Sequence, residues 1–387
     1  MARFARAVVL GAVALLLLAA AAGAQGTAHT LAGTGVLSLG GGLATGSNRA
    51  SLLMVSTASA SAAARQKGRS LVYFAGTDVN TEWNTGVPYA EAARHGWLLK
   101  DASGDLLVNS RYPSNYVGDV GNPQYQRAWL RNVLAFLARH HDDGVLIDDV
   151  LYDLEPLTET EASAYPTQQA WAAAQLSFIR AVGPALRSRG YYVLVNAAGY
   201  VPGDARSDTG ANTATWWREL APYVSGFMNE YFAETPDGNG TLRSTGGSWS
   251  QNWDGWQRLV RVAQSVGRDF VGVTYGDPGD TRAMSYAKAS FLLDWNGGGG
   301  AFVFDATEGR DAWNSAWTQN IGLPLDAKRR VGSGWLRRYS AGLVLINPSP
   351  TSTQSFVLPG RYVTADGQVV TSATLPPTQA LILQAAA

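Results

Sequence analysis

The sequence predicts an α/β fold, a (β/α)8 barrel followed by a small C-terminal antiparallel β domain. Two observations predict this fold. Apolar strands alternate with helical segments between residues 51 and 325, and only short apolar segments separated by Pro, Gly and Asp follow residue 326. Repeated alternation implies a parallel sheet, and eight units in about 260 residues have the size of a barrel. A doubly wound open sheet is the alternative, although its glycine-rich phosphate-binding motif is missing.

The barrel strands are predicted from short apolar runs bounded by polar or glycine residues. They are residues 52–55, 71–75, 116–120, 145–149, 192–196, 226–230, 270–275 and 301–305. The helices between them are predicted at residues 58–67, 125–140, 166–189, 215–223, 253–267 and 282–296. Asn122 and Pro123 suit the start of the 125–140 helix, and Gly190 suits the end of the 166–189 helix. In the C-terminal domain, 326–387, Asp366-Gly367 predicts a hairpin turn.

The N-terminus has the pattern of a secretory signal peptide. Arg3 and Arg6 precede an apolar run over residues 7–22, and Ala22-Gly23-Ala24 resembles a cleavage site. Residues 1–24 are therefore predicted to direct secretion, with an uncleaved anchor as the alternative. Residues 25–50 are rich in Gly, Ala, Ser and Thr, and we interpret them as a lead-in to a barrel over 51–325.

The amino-acid composition narrows the classes of molecule that the protein is expected to bind. Lys plus Arg number 30 and Asp plus Glu number 30, so the net charge is near zero. This balance argues against nucleic acid or an anionic membrane surface as the main partner. The chain has no cysteine and four histidines, which excludes disulfides and thiol nucleophiles and leaves no expected metal site or cofactor. The 13 Trp and 16 Tyr residues suit a carbohydrate ligand, and we expect a monomer.

Carboxylates dominate the predicted strand ends, where α/β barrels place their chemistry. The strand-end residues are Asp119, Asp148, Asp149, Asn196, Glu230, Tyr231, Tyr275, Asp277 and Asp305. Cleavage of a glycosidic bond uses two carboxylates, one as proton donor and one as nucleophile or base. The acidic ring therefore predicts a glycoside hydrolase.

Asp148 and Glu230 are the predicted catalytic pair. Asp148 ends the run Gly144-Val145-Leu146-Ile147, and strand periodicity turns Asp148 rather than Asp149 toward the barrel axis. Glu230 has apolar neighbours that suit a general acid of raised pKa. The predicted substrate-binding residues are Asp119, Asp149, Asn196, Tyr231, Tyr275 and Asp305. Neither a G-x-S-x-G motif nor a serine–histidine pair is evident.

Three motifs, in order, resemble one family. They are residues 97–104 (WLLKDASG), 118–126 (GDVGNPQYQ) and 143–150 (DGVLIDDV). Over residues 70–310 the chain resembles the glycoside-hydrolase-like TIM barrels named hypothetical glycosyl hydrolase family 15, and it is distantly similar to endo-polygalactosaminidase barrels. The resemblance implies a catalytic aspartate at Asp148 and a catalytic glutamate at Glu230. It also implies a β tail containing residues 342–348.

Two other functions compete with a secreted glycoside hydrolase. A non-catalytic carbohydrate-binding barrel of a surface or exopolysaccharide system would need fewer carboxylates than this strand-end ring contains. A metal-dependent deacetylase would need a His/Asp metal set, for which the histidines are not placed. The sugar, the linkage, endo or exo action and the stereochemistry stay open.

Overall fold

The computed structural model describes residues 32–39, 42–44, 46–83, 85–154, 157–198, 211–233, 248–276, 279–306 and 319–386. The predicted signal peptide and Asp277 lie outside these residues. The first ten strands are β1 (Ala32–Ser38), β2 (Leu52–Val55), β3 (Arg69–Ala75), β4 (Asp78–Asn80), β5 (Asn115–Val117), β6 (Gly144–Asp148), β7 (Tyr192–Asn196), β8 (Gly226–Asn229), β9 (Asp269–Gly276) and β10 (Gly300–Ala306). The helices are α1 (Ala60–Ala63), α2 (Tyr89–His95), α3 (Pro123–His140), α4 (Gln168–Arg187), α5 (Ala211–Leu220), α6 (Ser248–Ser265) and α7 (Thr281–Asp294).

Eight parallel strands close into a barrel in the order β1-β10-β9-β8-β7-β6-β3-β2. The predicted (β/α)8 barrel is thus confirmed, and seven of its strands lie where the sequence predicts them. The strand predicted at residues 116–120 is wrong, because β5 pairs with β4 in a separate two-stranded sheet. The eighth strand is β1, within the segment interpreted as a lead-in, so the barrel begins at Ala32 rather than at residue 51. Glycines at positions 33 and 35 weaken the strand signal there.

The barrel interior and its outer layer use alternate residues of each strand. Leu71, Leu146, Leu194, Met228 and Val273 belong to the interior cluster. Their neighbours in sequence pack outward against the helices, as Val145, Ile147, Val193 and Val195 do. Because side chains alternate along a strand, the interior series continues directly into the residues at the carboxyl ends of the strands.

Three of the helices begin at residues whose side chains cap the first turn. The Asn122 side chain accepts a hydrogen bond from the Gln124 N–H at 2.9 Å, with Pro123 in the first helical position of α3. The Thr167 hydroxyl accepts from the Ala170 N–H at 3.1 Å and starts α4. The Asp280 carboxylate accepts from the Ala283 N–H at 2.9 Å and starts α7. Each cap satisfies a backbone donor that the first turn leaves free.

The C-terminal residues form the predicted antiparallel β domain. Its strands are β11 (Arg329–Val331), β12 (Gly334–Tyr339), β13 (Gly342–Asn347), β14 (Gln354–Val363), β15 (Val369–Leu375) and β16 (Gln379–Ala385), in the sheet order β11-β12-β13-β16-β14-β15. Gly367, with φ 84°, makes the predicted turn between β14 and β15.

Arg337 joins this sheet to the barrel. Its guanidinium donates to the carbonyls of Leu292, Leu293 and Trp295 at 2.8, 2.9 and 2.5 Å. These carbonyls lie at the C-terminal end of α7, where backbone acceptors lack helical partners and a positive charge is favoured. Lys328 adds an ion pair to Asp294 at 2.6 Å. The β domain is therefore fixed to the outside of the barrel by polar contacts as well as by apolar packing.

Candidate active site

Asp148, Asn196 and Glu230 form one hydrogen-bonded group at the carboxyl ends of three adjacent strands, β6, β7 and β8. The Asn196 Nδ2 donates to Asp148 Oδ1 at 2.8 Å and to Glu230 Oε2 at 3.0 Å. Because both oxygens contact one nitrogen, they lie no more than about 6 Å apart. The structure thus brings the predicted catalytic pair together, with the predicted binding residue Asn196 between them.

The next two strands extend this group. Tyr275, on β9, donates its hydroxyl proton to Glu230 Oε1 at 2.9 Å. Asp305, on β10, lies opposite Tyr275 in the strand register. It is close enough to raise the pKa of the Tyr275 hydroxyl. Tyr231 follows Glu230, and its ring centroid is 5.2 Å from that of Tyr275.

Strand periodicity explains why these side chains meet. Asp148, Asn196, Glu230 and Tyr275 each lie two residues beyond an interior apolar residue, namely Leu146, Leu194, Met228 and Val273. They therefore stand above the apolar barrel core and face the axis, as predicted for Asp148. Asp149 has a left-handed φ of 55°, and its backbone carbonyl accepts a hydrogen bond from the Thr77 hydroxyl at 2.6 Å.

Burial raises the pKa of both central carboxyls, but their hydrogen bonds differ. Asp148 accepts hydrogen bonds from the Asn196 amide, the Asp149 backbone and the Tyr73 hydroxyl, which oppose the rise in its pKa. Burial, with added repulsion from Asp148, raises the pKa of Glu230 to about 7, against hydrogen bonds from Tyr275 and Asn196. Hydrogen bonds to the charged form favour ionisation, so Asp148 ionises first and Glu230 retains its proton into the neutral range.

Two further carboxylates lie near the pair. Burial, then repulsion by Asp148, raises the pKa of Asp149 well above its usual range. Asp78, at the start of β4, is buried, and its Oδ2 accepts from the side-chain amides of Asn109 at 3.0 Å and Asn115 at 2.6 Å. Burial raises the pKa of Asp78 to about 6. Several carboxylates thus share one low-dielectric region, which favours holding protons at neutral pH.

Four residues of this region were not predicted: Tyr73, Asp78, Trp83 and Arg111. Tyr73 lies two residues beyond interior Leu71 on β3, so the strand periodicity that was applied to Asp148 could have identified it. The other three lie on the excursion between β3 and α3, where no strand pattern marks them. Arg111 is exposed, yet its charge lowers the pKa values of Asp149 and Glu230.

The hydrogen bonds of Asp119 join it to residues other than Asp148 and Glu230. It was predicted as a strand-end residue, but β5 is outside the barrel. Its carboxylate accepts hydrogen bonds from the Tyr165 hydroxyl and, at 3.2 Å, from the Asn122 amide. These contacts brace the loop before α3, and the argument that placed Asp119 at the barrel mouth fails.

Two other features bear on the chemistry. Ser61 Oγ lies 2.7 Å from His140 Nδ1 on the surface, so a serine–histidine pair exists that the sequence did not reveal. His140 ends α3, on the side of the barrel where β6 begins, away from Asp148.

Within the residues that the structure describes, no group of three His, Asp or Glu side chains is arranged to hold a metal ion. No helix in the same part of the chain is both long and apolar enough to span a membrane.

The fold and its paired carboxylates are those of a glycoside hydrolase barrel. The model of the hypothetical glycosyl hydrolase family 15 matches residues 72–343, so the chain belongs to this family and is a glycoside hydrolase. The family resemblance inferred from the three sequence motifs is thereby confirmed. No curated protein matches the sequence.

Solved structures share the fold at low identity. The maltogenic α-amylase AmyB from Thermotoga neapolitana is 8% identical over 91% of this chain and 98% of that chain, with a TM-score of 0.51. Ega3 from Aspergillus fumigatus, solved in complex with galactosamine, is 12% identical over 73% and 94%, with a TM-score of 0.45. The glycoside hydrolase domain of PelA from Pseudomonas aeruginosa is 12% identical over 70% and 94%, with a TM-score of 0.46. The likeness to AmyB shows similarity of fold and leaves the substrate undefined.

Proposed function

We propose that this protein is a secreted hydrolase of a polysaccharide or oligosaccharide that retains the anomeric configuration, with Asp148 as nucleophile and Glu230 as general acid and base. The observation that carries the proposal is the bridge made by Asn196, which holds one oxygen of each carboxylate within 3.0 Å of a single nitrogen. Retaining glycosidases place their carboxyl groups about 5–5.5 Å apart, and inverting enzymes about 6.5–9.5 Å apart. The bound of about 6 Å between these oxygens favours retention.

The roles follow from the two environments. Glu230, with its pKa raised to about 7, is protonated in a large fraction of molecules at neutral pH and donates to the departing glycosidic oxygen. Asp148, ionised first, attacks the anomeric carbon and forms a glycosyl ester. Glu230, now a carboxylate, removes a proton from the water that hydrolyses this ester. Secretion is proposed from the N-terminal sequence pattern of Arg3, Arg6 and the apolar run at 7–22.

The first test is release of new reducing ends from a panel of bacterial and plant polysaccharides. The full chain is compared with Asp148→Asn, which keeps an oxygen to accept from Asn196. The matched control is Asp143→Asn at the other end of β6, where the carboxylate accepts from the Ser70 N–H at 2.9 Å. We expect release by the wild type and by Asp143→Asn, and a loss of at least about 1,000-fold in Asp148→Asn.

Three outcomes would change the proposal. Glycan binding without cleavage by any of the three proteins would favour the carbohydrate-binding barrel. Cleavage by Asp148→Asn at the wild-type rate would remove Asp148 from the chemistry. Stereochemistry is measured by proton NMR of the first anomer released, and appearance of the opposite anomer first would refute retention.

A further inference from the structure

Two pairs of tilted aromatic rings lie on opposite sides of the carboxylate pair. On the β3 side, the ring centroids of Tyr73 and Trp83 are 5.7 Å apart at 42°. On the β9 side, those of Tyr231 and Tyr275 are 5.2 Å apart at 50°. In each pair the inner tyrosine is half-buried and its hydroxyl contacts a catalytic carboxylate, Tyr73 with Asp148 and Tyr275 with Glu230.

The outer ring of each pair is unusually exposed. Trp83 is 43% exposed and Tyr231 is 40% exposed, whereas five other tryptophans are among the largest fully buried side chains of the described residues. Leaving an indole this open to water forgoes part of the apolar burial that folding would otherwise gain. Both rings are therefore open to a ligand that enters beside the carboxylate pair.

The backbone holds Tyr231 outward. Its φ is 57°, in the left-handed region that non-glycine residues rarely adopt. Phe232, the next residue, is fully buried, and its N–H donates to the Val273 carbonyl at 2.7 Å. This anchor fixes the backbone next to Tyr231, whose side chain stays partly exposed. Strain of this kind, of order 1 kcal/mol or more, concentrates at ligand-contacting positions.

We propose that Trp83 and Tyr231 are sugar-stacking platforms on the two sides of the scissile bond, Trp83 under the glycone and Tyr231 under the leaving group. The assignment of sides rests on the proposed function. The nucleophile Asp148 must face the anomeric carbon of the glycone, and the acid Glu230 must face the departing oxygen. Each platform is coupled to its own carboxylate through the inner tyrosine, so a sugar that stacks on a platform is placed against the group that acts on it.

The platforms suit the C–H face of a pyranose ring. Such a face is apolar and flat enough to pack on an aromatic ring, while the hydroxyls around its edge remain available to polar side chains. The inner tyrosines hold the platforms in place, because the hydroxyl of each is already engaged by a carboxylate. Trp83 is further fixed by its backbone N–H, which donates to Asn80 Oδ1 at 3.0 Å.

The binding test uses isothermal calorimetry with oligosaccharides prepared from polygalactosamine, dextran and starch. Trp83→Ala and Tyr231→Ala are each built into the Asp148→Asn chain, so that nothing is cleaved. We expect each to weaken binding of the oligosaccharide that the Asp148→Asn chain binds by about tenfold, and Trp83→Phe and Tyr231→Phe to recover most of the affinity. The matched control is Tyr191→Ala, which removes a half-buried ring at the opposite end of β7. The proposal that Trp83 and Tyr231 stack on sugars would be overturned by equal affinity in Trp83→Ala, Tyr231→Ala and the control. It would also be overturned if none of the three oligosaccharides bound.

The kinetic test separates the two sides. With Asp148 intact, Tyr231→Ala should lower the ratio of transglycosylation to hydrolysis at least about fivefold, because the acceptor sugar stacks on the leaving-group side. Trp83→Ala should lower kcat/KM with that ratio unchanged. The reverse pattern would overturn the assignment of sides. Binding that depends on both platforms, together with no reducing ends from the wild type, would instead refute the proposed hydrolysis and leave the platforms standing.

Discussion

Replacing Asn196 with alanine tests whether one amide organises the carboxylate pair. The change removes the donor to Asp148 at 2.8 Å and to Glu230 at 3.0 Å. A hydrogen bond to a charged group contributes about 1.5–3 kcal/mol, which corresponds to about 10- to 150-fold in rate for each bond. Because water will replace part of the loss, we expect kcat/KM to fall about 100- to 1,000-fold.

The pH dependence of Asn196→Ala provides a second, independent measurement. The amide lowers the pKa values of both Asp148 and Glu230, so its removal raises both. In a plot of kcat/KM against pH, the acidic limb reports ionisation of the nucleophile and the basic limb reports deprotonation of the acid. Both limbs should therefore move to higher pH.

Asn132→Ala is the matched control. Like Asn196, this amide donates two hydrogen bonds, to the Gly86 carbonyl at 3.0 Å and to the Glu91 carboxylate at 3.3 Å, but it lies on α3 outside the barrel. We expect its kcat/KM to stay within threefold of the wild type. If Asn196→Ala kept the wild-type kcat/KM and an unshifted pH profile, the proposal that the Asn196 amide organises Asp148 and Glu230 would be refuted.

Three further substitutions test the site and the fold. Tyr275→Phe removes a hydrogen bond that lowers the pKa of Glu230, so the basic limb of the kcat/KM profile should move above about pH 7, and a fixed limb would exclude this contact. Asp142 is buried, and burial followed by repulsion from Asp143 raises its pKa to about 6. The folded state therefore binds this proton more tightly, and stability is lost as pH rises from about 4 through 6. The pKa shift alone corresponds to about 3 kcal/mol, and solvent relaxation reduces this value. Asp142→Asn should therefore raise the free energy of unfolding in urea by about 1–2 kcal/mol at pH 8. It should have no effect at pH 4, and equal effects at both pH values would contradict the pKa shift. Arg337→Met removes three hydrogen bonds from the end of α7 and should lower the free energy of unfolding by about 2–4 kcal/mol, whereas a loss below 0.5 kcal/mol would show that apolar packing alone fixes the β domain.

Much of the barrel is predictable from the chain because its strands are buried on both faces. Runs such as Val145–Ile147 on β6 are apolar at successive positions, and strand–helix alternation is a local signal. The failure at β1 has a physical cause as well. Its partners are β2, nearby in sequence, and β10, about 270 residues away, so closure of the barrel is decided by a pairing that no local window contains. Two glycines further reduce its strand signal.

The same contrast applies to the site. The sequence predicted Asp148 from strand periodicity, and Asn196, Glu230 and Tyr275 from their positions at the ends of predicted strands. Only the tertiary structure decided that Asn196 bridges the carboxylates, because that contact joins residues 48 and 34 positions apart in sequence. Trp83, Asp78 and Arg111 also emerged only there. Asp78 begins β4, a short strand outside the barrel sheet. Trp83 and Arg111 lie on irregular backbone between β3 and α3, where side-chain direction depends on packing against the barrel rather than on a repeating dihedral pattern.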